Sequence, residues 1–266
     1  MPEQIIDTKF IQAAKQLLAR RVAGTKANGL PNNIKPNNIE DALDIHQAMI
    51  TLCEQKNIKA NAWKCLLPIN ADKIIIAPIF SDTVQTGDQC KLMCDDAKAK
   101  VEPEIAFVLN KDLPAKALGY SKGEINDAIG SAHMALELMQ KRFADDTDVS
   151  FPEMLADCLV NQGLFIGPQI DKALAFKANV ISLSFKQIDK NGEINEQIFE
   201  GKHPNALPQL PVYWAIDFMS KRGTSFKKGD AFTTGSFAGI VEVDFDKKTD
   251  IEYVGLGNYK VEFKES

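Results

Sequence analysis

The spacing of apolar residues predicts two helices near the start of the chain. Apolar side chains recur every three or four residues between residues 7 and 23, which is the period of one helix face, and Gly24 is placed to end that helix. Asn38, followed three residues later by Asp41, predicts the start of a second helix. The loop between them, residues 24–38, contains five Asn and two Pro, and we expect it to be too polar to pack.

After residue 58 the apolar pattern changes to short runs that are typical of β-strands. Ser121 with Glu124 predicts a capped short helix, and Asn191-Gly192 predicts the turn of a hairpin. The predicted strands include residues 60–67, 74–80, 89–94, 101–109, 131–139, 180–187, 194–199, 231–234 and 240–245, with another strand starting at 164–167 and a last hairpin ending at 263. Further helices are predicted over residues 152–160 and from Pro211 to just before Gly223. The pattern therefore predicts an α+β fold, with a small helical N-terminal lobe (1–58) and a β-rich catalytic domain (59–266).

The amino-acid composition indicates the class of protein, and the net charge limits the kinds of partner that it can bind. The 266 residues are 45% hydrophobic and 25% charged, which is typical of a globular protein and excludes a disordered or fibrous one. Acidic residues outnumber basic ones by 36 to 31, for a net charge of −5, and this balance argues against binding to nucleic acid or to an anionic membrane.

The N-terminus and the cysteines indicate a cytoplasmic protein. Residues 1–7 lack the basic and apolar segments of a signal peptide, and no apolar run reaches the roughly 20 residues that span a bilayer. An odd number of cysteines, five, favours reduced thiols. Cys90 and Cys94 have a spacing that zinc can use, but no other ligand lies nearby in sequence, so we expect small buried side chains.

Two glutamates lie on one face of the predicted strand over residues 101–109. Because side chains alternate along a strand, Glu102 and Glu104 point the same way, and apolar residues occupy both faces beyond them. Two like charges on a partly buried face are costly unless something such as a divalent cation neutralises them. The alternative is a solvated strand end at which the glutamates pair with Lys98 and Lys100.

Other polar residues interrupt apolar runs in a similar way. Glu137 is the one acid in the run 132–139, and Lys64 is the one cation in the run 62–67. His133 lies four residues before Glu137 and could be a further ligand, although a packed core histidine is the expectation. A buried Lys64 has a pKa that can fall into the range useful for proton transfer, whereas a lysine at a strand end can reach solvent. Asp82, which follows a buried-looking strand, is either a turn residue or part of a site.

These residues, in this order, resemble the fumarylacetoacetate hydrolase superfamily, in its 2-keto-4-pentenoate hydratase / 4-oxalocrotonate decarboxylase branch. The resemblance covers most of the chain. The segments that carry it are Glu40 to Gln47, Lys64, Val101 to Phe107, Ala135 to Glu137, His203-Pro204, Gly229-Asp230 and Thr234 to Val241. It implies a mixed β-roll core with a helical N-terminal lobe, assembled as a homo-oligomer.

The resemblance also implies a chemistry. Glu102, Glu104 and Glu137 match the ligands of Mg²⁺ or Mn²⁺, and Lys64 and Asp82 match the residues that handle protons. Gly235, Ser236 and Arg142 are the candidates for binding substrate. The implied activity is that of a lyase, a hydratase that adds water to a small unsaturated 2-oxo acid during the breakdown of aromatic ring-cleavage products.

Three departures from the family concern the surroundings of the implied metal site. Leu66 to Pro68 follow the lysine where a glycine and a small hydroxyl residue are usual. Met139 to Arg142 keep only the arginine of an Asp-Ser-Arg-like stretch, and Asp157 to Gln162 replace a segment rich in Asn and Ser. One alternative is a 2-oxo acid decarboxylase or C–C hydrolase, for which Arg142 would bind a second carboxylate. The other is a catalytically silent partner subunit or a metal-binding structural protein.

Overall fold

The structure, a computed structural model, describes residues 7–189 and 191–266. Residues 1–6, on which the signal-peptide prediction rests, and Lys190 in the predicted hairpin turn lie outside the described residues. The described residues contain six α-helices: α1 (Thr8–Ala23), α2 (Ile39–Glu54), α3 (Lys122–Ala128), α4 (Phe151–Ala156), α5 (Lys172–Ala175) and α6 (Leu210–Lys221). None of them is long and apolar enough to cross a membrane.

Local capping chemistry sets the ends of the first helices, as the sequence predicts. Gly24 ends α1 in the left-handed conformation at φ 63°, which glycine adopts without steric cost. The side chain of Asn38 accepts a hydrogen bond from the amide of Asp41 at the start of α2. Ser121 and Glu124 form the predicted capping box of α3.

The loop between α1 and α2 packs against the core, which corrects the expectation that it is too polar to do so. Leu30 and Ile34 are both buried. The amide of Leu30 donates to the buried carboxylate of Glu153, and Lys35 lies 3.0 Å from the same carboxylate. A buried acid from α4 therefore satisfies polar groups of the loop, and two apolar side chains are enough to hold it in place.

Thirteen strands of the described chain form two curled sheets, which gives a mixed α/β architecture. The first sheet has the order β2-β1-β10-β5-β6-β7-β3, with β11 paired to β5, and the second has the order β4-β13-β12-β8-β9. The strands are β1 (Ala60–Asn70), β2 (Lys73–Phe80), β3 (Val84–Gln85), β4 (Gln89–Leu92), β5 (Ala99–Leu109), β6 (Ile129–Met139), β7 (Asn161–Ile170), β8 (Val180–Ile188), β9 (Ile194–Lys202), β10 (Ala231–Thr233), β11 (Val241–Val243), β12 (Lys248–Tyr253) and β13 (Gly257–Glu265).

Both faces of β5 are covered, as its sequence predicts. On one face Val101, Ile105 and Phe107 are buried in the main core. On the other face Ala106 lies in a separate cluster with Ala62, Ala135 and Ala231, which Ile79 of β2 and Leu164 of β7 complete. The central strands β1, β10, β5 and β6 thus share an inner face that is filled by small side chains, and this face leads to the two glutamates of β5.

The helix predicted over residues 152–160 ends early. Helix α4 ends at Ala156, and Cys158, Leu159 and Val160 all have positive φ, at 56°, 53° and 59°. This left-handed turn of three non-glycine residues leads directly into β7. A β-branched residue such as Val160 rarely adopts this conformation, so the turn could not be predicted from local preferences.

All five cysteines are free, as expected. Cys90 is fully buried, as predicted, whereas Cys94 is only partly buried. Burial raises the pKa of the Cys90 thiol to about 12, so this side chain behaves as a small apolar group.

Candidate metal centre

Three carboxylates meet on the inner face of the first sheet. Glu102 and Glu137 are directly paired across β5 and β6, and Glu104 comes two residues further along the same face of β5. One oxygen from each of the three lies within 4.8 Å of the others. Glu104 and Glu137 are buried, and the side chain of Glu102 is 18% exposed. The structure thus brings together the three acids that the sequence singles out.

Lys64 provides one positive charge beside this cluster. Its Nζ lies 2.9 Å from Oε1 of Glu137 and 4.0 Å from Oε2 of Glu102, and it donates to the carbonyl of Leu159 at 3.5 Å. When all three carboxylates are ionised, they and the one ammonium together carry a net charge of −2. One divalent cation would neutralise this net charge.

Burial and the repulsion between these carboxylates also shift the pKa values of the cluster. Burial, together with the charge of Glu137, raises the pKa of Glu102 to about 7. Burial and the other two carboxylates raise the pKa of Glu104 well above its ordinary value. Burial alone would lower the pKa of Lys64, but the charges of Glu137, Glu102 and Glu104 outweigh it and raise that pKa. The expectation of a lowered lysine pKa is therefore wrong for the cluster as the structure describes it.

Hydrogen-bond donors from other strands hold two of the carboxylates. Oε2 of Glu104 accepts from the hydroxyl of Thr233 and, at 2.7 Å, from the amide of Gly235. Oε1 of Glu137 accepts from Nδ2 of Asn161 at 2.9 Å. Sequence reasoning missed Thr233 and Asn161; the only sign of Thr233 is a polar residue inside a short apolar strand. Gly235 does direct its amide at an anion, but that anion is Glu104.

The donor set fits a divalent cation. Three carboxylates are the oxygen ligands that Mg²⁺ and Mn²⁺ prefer. The second oxygen of Glu137, Oε2, is fully buried and has no hydrogen-bond partner among the described residues. A buried carboxylate oxygen without a partner is unfavourable, and a bound cation would satisfy it.

Arg142 is not brought into the cluster. Its side chain is fully buried, its Nε lies 3.1 Å from both carboxylate oxygens of Asp157, and its Nη2 donates to the carbonyls of Asp157 and Asn161. Arg21 donates to the same Asn161 carbonyl at 2.6 Å and to its side chain at 3.0 Å. The two arginines therefore fix Asn161, which in turn holds Glu137.

The structure also places the other predicted site residues, Asp82, Ser236 and His133. Asp82 lies on an exposed turn, Ser81–Thr83, and makes no hydrogen bond or ion pair with Lys64 in the described part of the chain. Ser236 is partly buried, and its hydroxyl donates to the carbonyl of Gly239. His133 lies outside the cluster, where its ring contacts Ser131 and the carbonyl of Gly167, in agreement with a packed histidine.

The lysines proposed as alternative partners of the glutamates are engaged elsewhere. Lys98 pairs with Asp244, and Lys100 lies 2.9 Å from Asp96 and 3.4 Å from Asp95. The interpretation of Glu102 and Glu104 as surface acids paired with these lysines is therefore wrong.

Known proteins with similar sequences and structures bear on the function. No protein-family model matches the chain. A 2-hydroxyhexa-2,4-dienoate hydratase of Comamonas testosteroni is 25% identical over 271 residues, which cover 97% of this chain and 99% of that protein. A 2-keto-4-pentenoate hydratase of Paraburkholderia phymatum is 29% identical over 194 residues, which cover 70% of this chain and 69% of that protein.

The fold has a close counterpart among solved structures. The 4-oxalocrotonate decarboxylase from Pseudomonas putida G7, complexed with magnesium and adipate, superposes with a TM-score of 0.75 at 17% identity. The match covers 96% of this chain and 97% of the decarboxylase. The resemblance to the hydratase branch of the fumarylacetoacetate hydrolase superfamily is confirmed. The prediction of a hydro-lyase is confirmed as well, since both sequence relatives are named hydratases.

Proposed function

We propose that the protein is a metal-dependent hydratase that adds water to a small 2-hydroxydienoate, as in the breakdown of aromatic ring-cleavage products. The observation that carries the proposal is the cluster of Glu102, Glu104 and Glu137, whose ionised form carries a net charge of −2 after Lys64 is counted. The hydratase relatives supply the reaction class.

Glu102, Glu104 and Glu137 would hold Mg²⁺ or Mn²⁺, and we favour Mg²⁺ because the structural relative was complexed with magnesium. When bound, the cation supplies Lewis-acid stabilisation of the negative charge that develops on the oxygens of a 2-oxo acid. Asn161, Thr233 and Gly235 keep two of the three carboxylates in place for it.

Lys64 is the group that we propose moves a proton. Its ammonium has three N–H donors, and Glu137 and Leu159 accept two of them in the structure. The third donor makes no hydrogen bond among the described residues, and we assign it to the substrate. Because the ammonium is held on two sides, its proton is presented in a fixed direction, which general acid catalysis requires.

The reaction on the simplest substrate, 2-hydroxypenta-2,4-dienoate, balances as the addition of one water. The hydroxyl group bonds to C4, and C3 and C5 each gain a proton, one from the water and one from the enol hydroxyl on C2. The product is 4-hydroxy-2-oxopentanoate. Asp82 is proposed, from the family resemblance, as the second group that handles protons, and Gly235 and Ser236 as substrate contacts.

The resemblance also underlies three proposals about architecture. The first sheet forms a β-roll, residues 1–58 form a helical lobe beside a catalytic domain of residues 59–266, and the chain assembles as a homo-oligomer. Each stays a prediction.

Hydration is favoured over decarboxylation of a dicarboxylate. The decarboxylase alternative needs a cation for the second carboxylate, and Arg142, its candidate, is buried and paired with Asp157. The sequence relatives are hydratases, whereas the decarboxylase is related through its fold.

The proposal is tested by incubating the purified protein and Mg²⁺ with 2-hydroxypenta-2,4-dienoate. We expect the ultraviolet absorbance of the diene to fall, a product heavier by one water to form, and the activity to stop when EDTA is added. Glu104→Gln should lower kcat by roughly 10³-fold, because the cation loses a ligand. The matched control Glu200→Gln, an exposed acid on β9, should keep full activity. Stable diene absorbance with Mg²⁺ present would refute the hydratase, and release of CO₂ from a dicarboxylate substrate would favour the decarboxylase.

A further inference from the structure

Residues 234–237 follow β10 and lie beside the part of β5 that carries Glu104. The amide of Phe237 donates to the carbonyl of Pro103 at 3.0 Å, which fixes this segment to β5. Two residues earlier, the amide of Gly235 donates to Oε2 of Glu104 at 2.7 Å. The direction of the Gly235 amide therefore depends on how this segment is held.

Gly235 is closed in on the side where any other residue would carry a side chain. A Cβ atom built on Gly235 would lie 2.5 Å from Cδ2 of Leu66 and 2.8 Å from Cγ of Pro204. Both distances are too short for a real Cβ atom, and Gly235 has φ 106°, so only glycine fits here. Leu66 and Pro204 thus pack directly on the backbone of Gly235 and restrict the movement of its amide.

Leu66 reaches Gly235 from the strand that also carries Lys64. Because side chains alternate along β1, Leu66 lies on the same face as Ala62 and Lys64, the face that leads to the carboxylates. Leu66 also belongs to the stretch after Lys64 in which the family usually has a glycine and a small hydroxyl residue. Its contact with Gly235 gives this departure from the family a role beside the carboxylate cluster.

Pro204 is held in place through the residues on either side of it. The amide of Asn205 donates to Nδ1 of His203 at 3.0 Å, and the side chain of Asn205 accepts from the amide of Leu67 at 3.2 Å. The ring of His203 is buried and packs edge-on against Phe237, with ring centroids 5.3 Å apart. The segment that contains Pro204 therefore joins β1 to residues 234–237.

We propose that Leu66 and Pro204 are positioning residues for Glu104. They act through Gly235, whose amide they hold in the direction of Oε2 of Glu104, so that this carboxylate is fixed before a cation binds. The inference rests on the proposed function, because it takes Glu104 as a ligand of the cation.

The first test compares Mn²⁺ affinities. Leu66→Gly uncovers Gly235, and we expect the Kd for Mn²⁺ to rise by about 10-fold, the scale seen when residues that hold metal ligands are removed. Leu66→Met, which keeps an apolar side chain of similar volume, should restore the wild-type Kd. The matched control is Ile69→Gly, a glycine on the same strand at a residue that is 64% exposed, and it should bind Mn²⁺ as the wild type does. A wild-type Kd in folded Leu66→Gly would overturn the proposal.

Pro204→Ala tests the same contact from the other segment, and it replaces Leu66→Gly if that variant does not fold. The substitution removes Cγ, the atom that covers Gly235, and the Kd for Mn²⁺ should again rise. A Kd equal to that of the wild type would overturn the role of Pro204.

A double-mutant cycle shows whether Leu66 acts through Glu104 or through its neighbour Lys64. In a Glu104→Ala protein the Gly235 amide has lost its acceptor, so adding Leu66→Gly should not weaken Mn²⁺ binding further. An equal loss in the two backgrounds would mean that Leu66 acts through another group, and would overturn the proposal.

Hydrogen exchange of the Gly235 amide, followed by mass spectrometry in EDTA, gives a measurement that needs neither metal nor substrate. Exchange should be faster in Leu66→Gly than in the wild type and unchanged in Ile69→Gly. Faster exchange and weaker Mn²⁺ binding, without turnover of any dienoate by the wild type, would support the positioning role and refute the hydratase. Turnover by the wild type, with unchanged exchange and Mn²⁺ affinity in Leu66→Gly, would refute the positioning role and leave the hydratase standing. A wild-type protein that binds no Mn²⁺ would refute both.

Discussion

Glu137 is the residue on which the candidate centre depends. Its Oε1 pairs with the ammonium of Lys64 and accepts a hydrogen bond from Asn161. Its Oε2 is buried without a hydrogen-bond partner in the described chain. The sequence could identify Glu137, Glu102 and Glu104, because alternation along a strand is a local property. It could not reveal Asn161 or Thr233, since these donors reach the cluster only through pairing between strands distant in the chain.

Asn161 offers a test of how the cluster is held. Asn161→Ala removes the donor to Glu137, so we expect metal affinity and kcat/KM to fall by about 10- to 100-fold. The affinity for Mn²⁺ and the activity are measured on the same preparation, with circular dichroism as a check on folding. Asn195→Ala, an exposed change on β9, serves as the control. Full metal affinity in Asn161→Ala would mean that Asn161 does not position Glu137.

Arg142 gives a second prediction at this scale, since it contacts no carboxylate of the cluster. Arg142→Lys cannot keep all the bonds to Asp157 and to the Asn161 carbonyl, because lysine lacks the planar guanidinium. We expect a loss of stability of about 3 kcal/mol, measured by urea unfolding. If Arg142 bound a substrate carboxylate instead, KM would rise while stability stayed constant.

The ends of helices α1 and α2 are set by local chemistry, and these ends agree with the sequence predictions. Gly24 ends α1 and Asn38 begins α2, as expected, because a helix cap acts within one turn. The turn at Cys158 to Val160 was missed, because three adjacent non-glycine residues at positive φ contradict local preference. The packing of the loop at Leu30 was missed because Glu153, which satisfies the Leu30 amide, lies far along the chain.

The contact between α2 and α4 predicts a pH dependence of stability. His46 is buried on α2, with its Nε2 2.6 Å from the carbonyl of Leu155 on α4, and burial lowers the pKa of His46 to about 4. In the unfolded chain the pKa is close to 6.5. The folded state therefore favours the neutral ring, and stability falls as the pH drops below 6.5 towards 4.

His46→Gln isolates this contribution, because glutamine can keep the hydrogen bond but does not titrate. Between pH 7 and pH 5 the wild-type protein should lose about 2 kcal/mol more than the variant, as measured by urea unfolding at each pH. Equal losses in the two proteins would show that His46 does not remain neutral in the fold.

At the scale of the whole molecule, strands from distant parts of the chain build one centre. Lys64 comes from β1, the glutamates from β5 and β6, Thr233 from β10 and Asn161 from the start of β7. Strand pairing of this kind depends on global topology, which the sequence indicated only through its family resemblance. The net charge of −5 indicated an excess of acids without indicating which were buried together.

Binding of one divalent cation by the three carboxylates can be measured by a titration with Mn²⁺ followed by electron paramagnetic resonance. The wild-type protein should bind one Mn²⁺ per chain, and Mg²⁺ should displace it. The double variant Glu102→Gln, Glu104→Gln should lose at least about 100-fold in affinity, because only Glu137 remains as a charged ligand, while Glu200→Gln should bind as the wild type does. Undiminished Mn²⁺ affinity in the folded double variant would show that Glu102 and Glu104 are not ligands of the cation.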